Sequence, residues 1–382
     1  MANEKKTVRE PSFILALVPI VAMIAFMLYC FRGHSETGYH DAHLPLVMSI
    51  IVACIVGFIC GHSFQEMLAG MVERLAASME AVLILATVGF LVTSFMLSGA
   101  IPTMIVYGLD LLTPKLFLPV GCILCAIVGM ACGSSWTTTA TIGLAFLGIG
   151  AGLGIPAPIT AGMIISGAYV GDKFSPLSDT TNLAAAVAET GLFDHVTAMV
   201  STTGPTLLLS LILYTILGLN VDTSAYDATV AEGIQEAFRG AFTISPILLL
   251  PIIVVIVMCI LRVPGLVGIA ISVATAVVFM LIFQSTDIFY SYSLGDIFDV
   301  LHYGHAVETG NAVADSILGK AKGMDGMMWT INLILVALAY GGALERCGCI
   351  EKLFGGLKHK IHSVGSLILA TLLTSIFCDA TM

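Results

Sequence analysis

Long apolar windows constrain the fold of this chain more than any other feature. Each is close to the roughly 20 residues that a helix needs to cross the hydrocarbon core of a membrane. More apolar sequence, interrupted by glycine and proline, lies between 138 and 191. We therefore predict an all-α polytopic membrane protein of about nine to eleven spans. The continuous windows lie at about 12–31, 44–61, 81–98, 116–133, 194–219, 244–261, 264–283, 327–345 and 362–378.

Composition supports a membrane location and excludes a nucleic-acid-binding protein. Hydrophobic residues make up 58% of the chain and charged residues only 10%, against roughly 25% charged residues in soluble domains. The net charge of -10 leaves no basic surface for nucleic acid. Lys5, Lys6 and Arg9 precede the first window, so we expect a cytoplasmic N-terminus. The expected location is the plasma or inner membrane, with the lipid bilayer as partner.

The ten cysteines fall mostly inside apolar windows and are interpreted as buried thiols. Cys347 and Cys349 are separated by one residue near the end of a window. No histidine or second cysteine pair accompanies them, so we expect no structural metal there. We also expect no resident cofactor.

A weak internal repeat organises the windows. In the first copy, Ser98-Gly99-Ala100 is followed by a polar stretch and by an apolar run that ends at Cys132. In the second copy, Gly341-Gly342-Ala343 is followed by a polar stretch and by an apolar run that ends at Cys378. Such symmetry is typical of secondary transporters. The alignment of the second copy with the first leads us to expect that the second repeat is incomplete, with roughly 80 residues following Met382. The predicted parts are an N-terminal segment with the first span (1–43), a first transport repeat (44–220), a polar linker without strong periodicity (221–243) and a truncated second repeat (244–382).

Glycine and proline predict two breaks within the first repeat. The run GIGAGLGIPAP at 148–158 contains four glycines and two prolines, so it cannot be a regular helix throughout. Pro176 lies between Asp172 and Asp179 and should end a helix there. Irregular backbone at membrane depth must face protein or water. We therefore predict broken helices and re-entrant hairpins.

The segment 167–182 (GAYVGDKFSPLSDTTN) concentrates charged and oxygen-bearing side chains in apolar sequence. Ionisable groups at membrane depth usually mark an ion path or binding site. Carboxylates, freed backbone carbonyls and hydroxyl or amide oxygens are the ligands that a hard cation such as Na⁺ prefers. Asp179 is flanked by such oxygens and is the carboxylate that we favour for exchanging Na⁺ and H⁺. The other oxygens come from Asp172, Ser178, Thr180, Thr181 and Asn182.

Structural interpretations remain open for two of these features. Asp172 can instead form an ion pair with Lys173 at the membrane surface. The cluster GSSWTTT at 133–139 can supply ordinary hydrogen bonds between helices, which are common in membrane bundles.

The stretch 133–205 resembles the NhaC-type sodium/proton antiporters of the ion-transporter superfamily. The resemblance rests on GSSWTTT, on AYVGDKFSPLSDTTN and on DHVTAMVSTTGP, in this order and at this spacing. It implies two inverted repeats and secondary active transport in which Na⁺ or Li⁺ is exchanged for H⁺. Members of the family also exchange malate and lactate or carry amino acids. A homodimer is a further implication.

By this resemblance the two polar segments face each other and form the ion and proton site. Asp179 and Asn182 would bind Na⁺, and the second repeat would contribute Asp379 and Thr381. The remaining site residues implied are Asp172, Ser178, Thr180, Thr181, Ser134, Ser135 and Thr137.

Three classes of function are compared. A cation/proton antiporter needs only carboxylate and oxygen ligands. An exchanger of small organic anions also needs a cationic or helix N-terminal anion site, for which Lys173 and the Ser/Thr clusters are candidates. An intramembrane enzyme would need a motif such as H-E-x-x-H or G-x-S-x-G, and the sequence has neither, so we expect no enzyme.

Overall fold

The computed structural model describes residues 8–33, 41–175, 178, 180–181, 184–185, 188, 190–220, 228–261, 263–284, 294–358 and 363–381. Within these ranges every regular element is a helix, which confirms the all-α class. The α-helices are α1 (Phe13–Gly33), α2 (His43–Ile59), α3 (Phe64–Ala77), α4 (Met79–Leu97), α5 (Ala100–Leu111), α6 (Pro114–Cys132), α7 (Ser135–Thr138), α8 (Leu144–Gly152), α9 (Ala157–Phe174), α10 (Leu192–Leu219), α11 (Ala228–Ala241), α12 (Leu250–Ile260), α13 (Gly265–Phe283), α14 (Leu294–Tyr303), α15 (Ala312–Leu318), α16 (Asp325–Arg346), α17 (Cys349–Lys358) and α18 (Val364–Thr381). A π-helix (Thr139–Gly143) follows α7, and a 3₁₀ helix (Pro246–Leu249) precedes α12.

Every apolar window predicted from the sequence contains a helix, and the bounds agree within a few residues. Four described helices are long and apolar enough to cross a membrane: Phe13–Phe31, Leu192–Leu219, Gly265–Phe283 and Asp325–Arg346. The number rises to six if two bent helix pairs each count as one span. The multi-pass character is therefore supported, and the count of nine to eleven spans stays a prediction.

The chain divides into two compact units, residues 1–83 with 328–382 and residues 84–327. In the first unit, α3 begins with a capping box in which Ser63 Oγ accepts from the Glu66 N–H and Glu66 Oε2 accepts from the Ser63 N–H. This arrangement satisfies two backbone donors that a helix start leaves free. Met67 and Met71 of α3 are buried in a core that also contains Ala53 and Ala343.

The second unit holds the larger core. α6, α9 and α10 pack together there, and α5 packs against α8. The core includes fully buried Phe95, Phe117 and Phe238. The predicted break at 148–158 is confirmed, because α8 ends at Gly152, Gly154 has a left-handed φ of 71°, and α9 starts at Ala157.

The segment predicted as a linker without strong periodicity contains a helix, so that description was wrong. Residues 228–241 form α11, whose apolar side chains Ala231, Ile234 and Phe238 are buried. These positions recur every three or four residues, as on one face of an amphipathic helix. The boundaries of the repeats and the linker stay predictions.

The two copies of the weak sequence repeat contain their helices in the same order. α4, the left-handed Gly99, α5 and α6 follow one another as α16, the left-handed Gly348, α17 and α18 do. This order places Gly348, and not Gly342, at the position of Gly99. The helix order is compatible with a repeat, which itself stays a prediction.

Candidate functional site

The close packing of α6 against α9 places Asp172 inside the second unit. A Cβ at Gly167 would lie 2.3 Å from the carbonyl oxygen of Cys122, and one at Gly171 would lie 2.2 Å from that of Ala126. Only glycine permits backbones to approach so closely, as is common between membrane helices. Asp172 follows Gly171 directly and is 6% exposed.

The end of α9 supplies backbone oxygens beside this carboxylate. The helix stops at Phe174, and Ser175 is extended with φ -84° and ψ 124°, as expected for the residue before a proline. The predicted end of the helix between Asp172 and Asp179 is thus confirmed. The hydroxyl of Thr181 lies 3.4 Å from the carbonyl oxygens of both Asp172 and Lys173.

A turn after α6 brings the Ser/Thr cluster to the same place. Gly133 ends α6 with a left-handed φ of 63°. Ser134 then caps α7, because its Oγ accepts from the Thr137 N–H at 3.2 Å. This cap begins a new helix with Ser135 in its first turn, and Ser135 is 8% exposed.

Two hydroxyls face one carboxylate oxygen of Asp172. Ser135 Oγ and Thr180 Oγ1 each lie 3.5 Å from Asp172 Oδ2. Thr180 Oγ1 is also 2.9 Å from Ser178 Oγ, which accepts from the Thr181 N–H. The site therefore combines a buried carboxylate, hydroxyl oxygens and the carbonyl oxygens of the last turn of α9.

Lys173 and Trp136, which neighbour these residues in the sequence, are exposed. Lys173 is exposed, and its Nζ lies 5.9 Å above the centre of the Tyr169 ring. Trp136 is 58% exposed. Since Asp172 is buried and Lys173 is not, the alternative of a surface ion pair for Asp172 receives no support from their burial.

The predicted site residues divide into four groups. Asp172, Ser135, Ser178, Thr180 and Thr181 are brought together. Ser134 and Thr137 lie nearby, with their hydroxyls hydrogen-bonded to each other at 3.2 Å. Asp179 and Asn182 lie outside the described residues. Asp379 and Thr381 belong to α18 in the other unit, and their side chains are outside the described part of the chain.

Two residues near the site were missed by sequence reasoning. Ser175 is fully buried beside Asp172, and its position before Pro176 was the signal that could have identified it. Thr141 is buried in the π-helix, where its hydroxyl donates to the Thr137 carbonyl at 2.7 Å. No pattern of residue types in the sequence predicts a π-helix.

Comparison with known proteins supports a family assignment. The family model described as the Na⁺/H⁺ antiporter family matches residues 167–382, more than half of the chain. The chain belongs to this family. No solved structure matches the chain.

Curated relatives extend over nearly the whole chain. The Na⁺/H⁺ antiporter NhaC of Alkalihalophilus pseudofirmus is 34% identical over 88% of this chain and 71% of its own length. The arginine/ornithine antiporter ArcD of Halobacterium salinarum is 34% identical over 97% of this chain and 75% of its own length. The malate-2H⁺/Na⁺-lactate antiporter of Bacillus subtilis is 31% identical over 98% of this chain and 78% of its own length.

Proposed function

We propose that this protein is a secondary active transporter that exchanges Na⁺ or Li⁺ for H⁺ at the site around Asp172. One observation carries the proposal: a buried carboxylate faces two hydroxyl oxygens at the end of a helix, beside the carbonyl oxygens of its last turn. Broken helices supply such oxygens to coupling ions in transporters. Membership of the Na⁺/H⁺ antiporter family supports the same activity.

The spacing of the oxygens favours a cation over tight internal hydrogen bonds. Hydrogen bonds from a hydroxyl to a carboxylate are about 2.5–2.7 Å long, whereas Ser135 and Thr180 lie 3.5 Å from Asp172 Oδ2. Calcium, a hard cation close to sodium in size, is held at about 2.3–2.6 Å. Oxygens at adjacent corners of an octahedron of that size are separated by roughly 3.3–3.7 Å. Each of these two hydroxyl–carboxylate distances thus lies in the range expected between two ligands of one small cation.

Exchange follows from competition for one carboxylate. When Na⁺ leaves, a buried and unneutralised carboxylate is costly, and protonation removes its charge. When a cation binds, it stabilises the ionised form and displaces the proton. Asp172 would carry this exchange together with Asp179, with Ser135, Ser178, Thr180, Thr181 and Asn182 as neutral ligands.

An organic-anion exchanger is the second candidate, because relatives include the malate/lactate antiporter. Such a substrate needs a cationic or helix N-terminal anion site, and the cationic candidate, Lys173, is exposed over the Tyr169 ring. The oxygen-rich site therefore favours a small cation.

We further propose a multi-pass protein of the inner membrane with a cytoplasmic N-terminus, acting as a homodimer.

Proton flux in everted membrane vesicles tests the proposal. We expect addition of Na⁺ or Li⁺ alone to dissipate an imposed proton gradient. Asp172→Asn should reduce this flux at least about tenfold, because the buried carboxylate for which Na⁺ and H⁺ compete is then lost. Asp194→Asn, at an exposed carboxylate in the first turn of α10, is the matched control and should retain the flux.

Two outcomes would contradict the proposal. Gradient dissipation that requires malate, lactate or arginine would favour the organic substrates of the relatives. Full Na⁺-dependent flux in Asp172→Asn, with loss in Asp179→Asn, would move the exchanging carboxylate to Asp179.

A further inference from the structure

A π-helical turn follows α7, the short helix that carries Ser135 of the Asp172 site. It spans Thr139–Gly143 and continues α7 into α8. In an α-helix each N–H bonds to the carbonyl four residues earlier, and in a π-helix to the one five residues earlier. The turn thus accommodates one additional residue. Single π-helical turns are rare and occur frequently at functional sites.

The additional residue sets the direction of Ser135. In a regular helix one residue corresponds to about 100° of rotation and about 1.5 Å of rise. α8 is held in place, since Cβ atoms at Gly148 and Gly152 would lie 2.5 and 2.7 Å from Ile105 and Leu109 of α5. Conversion of the π-turn to an α-turn would therefore rotate α7, and Ser135 would leave Asp172.

Thr141 stabilises this turn from within. It is 1% exposed, and its hydroxyl lies 2.7 Å from the Thr137 carbonyl oxygen and 3.3 Å from that of Thr138. Where bonding changes from four to five residues, two successive N–H groups face the same carbonyl, so the backbone hydrogen bonding is irregular at the start of the turn. The Thr141 hydroxyl adds a side-chain donor to the carbonyls at this start.

We propose that Thr141 is a positioning residue of the cation site: its hydroxyl stabilises the π-turn and so directs Ser135 towards Asp172. Thr141 itself contacts neither the carboxylate nor the ion. This inference rests on the proposed cation exchange at Asp172. It attributes the position of Ser135 in that site to a residue that is not itself part of the site.

The test compares Thr141→Val with a matched control. Thr160 is also fully buried, and its hydroxyl lies 3.5 Å from the Pro156 carbonyl oxygen in the first turn of α9. Half-saturating Na⁺ and the pH profile of exchange are measured in vesicles containing equal amounts of folded protein. We expect Thr141→Val to raise the half-saturating Na⁺ about tenfold, the scale of one lost hydrogen bond. Thr160→Val should stay within about twofold, and Thr141→Ser should restore the wild-type value.

A double variant separates positioning from general destabilisation. If Thr141 acts through Ser135, Thr141→Val should add little in a Ser135→Ala background, because the affected contact is already absent. Additive effects, an unchanged half-saturation in Thr141→Val, or equal effects of Thr141→Val and Thr160→Val would each overturn the proposal. Should Thr141→Val not fold, Thr141→Cys and Thr160→Cys replace the valine pair, since a thiol is a weaker donor.

The result is distinguishable from failure of the proposed function. Wild-type vesicles without Na⁺- or Li⁺-dependent flux would refute cation exchange itself. Wild-type exchange with no specific effect at Thr141 would refute only the role of the π-turn.

Discussion

The hydroxyls of Ser166 and Tyr214 lie 2.9 Å apart and join α9 to α10. Gly162, one turn before Ser166, faces the same tyrosine, since a Cβ there would lie at a contact distance of 3.4 Å from the Tyr214 hydroxyl. Both helices are otherwise largely apolar. The helix that carries Asp172 is thus held to α10 by a polar contact.

Loss of this hydrogen bond should weaken the fold modestly. We expect Tyr214→Phe to lower the free energy of unfolding by about 0.6–2 kcal/mol, the range for hydrogen bonds between membrane helices. Ser166→Ala should have a similar effect, and the double variant should cost little more than either. Thr215→Val is the control, because that hydroxyl bonds to Leu211 of its own helix. Additive losses in thermal unfolding would contradict a shared bond.

A methyl group at Gly171 should separate α6 from α9. The new Cβ would lie 2.2 Å from the Ala126 carbonyl oxygen and 2.7 Å from the Met130 nitrogen. Both are backbone atoms, so relief requires movement of a helix. We expect Gly171→Ala to cost at least about 3 kcal/mol of stability, at the upper end for overpacking, and to abolish exchange. Gly240→Ala on α11, where a Cβ would meet no atom of the described residues within 4 Å, should be neutral or stabilising by about 0.5–1 kcal/mol. Normal melting of Gly171→Ala would disprove the close contact.

Gln284 joins three backbone groups in the core of the second unit. It is 1% exposed. Its Oε1 accepts from the Thr243 N–H at 3.0 Å, and its Nε2 donates to the Ser98 and Thr243 carbonyls at 3.0 and 3.2 Å. Gln284→Leu leaves these backbone groups buried without that partner. We expect this to lower the free energy of unfolding by about 1–3 kcal/mol for each group.

Gln235→Leu provides the comparison for Gln284→Leu. Gln235 also donates to a backbone carbonyl, that of Val106, but its contact with Asp110 is exposed. Water can replace hydrogen bonds at that place, so the loss should be smaller. Equal shifts in the melting temperatures of the two variants would argue against the buried role of Gln284.

The loop before α2 should show a pH-dependent contribution from Asp41. Its carboxylate accepts from the His43 N–H and contacts the His43 ring. These hydrogen bonds hold the pKa of Asp41 below its ordinary value. A carboxyl group with a lowered pKa stabilises the fold above the ordinary pKa, and this stabilisation disappears as the pH falls through the lowered value.

Asp41→Asn should therefore melt at a lower temperature than wild type at pH 7. The difference should shrink as the pH falls below about 4, near the ordinary carboxyl range. The exposed Glu232→Gln on α11 serves as the control. A difference between Asp41→Asn and wild type that stays constant between pH 7 and pH 3 would contradict this role.

The helices and their breaks were predictable because they depend on local chemistry. Apolar windows gave the positions of the long helices, and Pro176 predicted the end of α9 near Phe174. The helix at 228–241 was missed because its apolar residues are few and separated by polar ones. They become one face only when the helical period is applied.

The arrangement of the site could be predicted only in part. Asp172 and Lys173 are adjacent in the sequence, yet the first is buried and the second exposed. This difference arises from the packing of α9 on α6 through Gly167 and Gly171, which depends on a distant segment. The π-turn was likewise invisible, since five residues are too few to reveal a change of period.

The contact of Gly167 and Gly171 with the backbone of α6 has a mechanical consequence. Helices separated by side chains can slide past one another as those side chains change rotamer, but two backbones in direct contact have no such freedom. Any movement that carries Asp172 between the two sides of a membrane should therefore move α6 and α9 together as one rigid body.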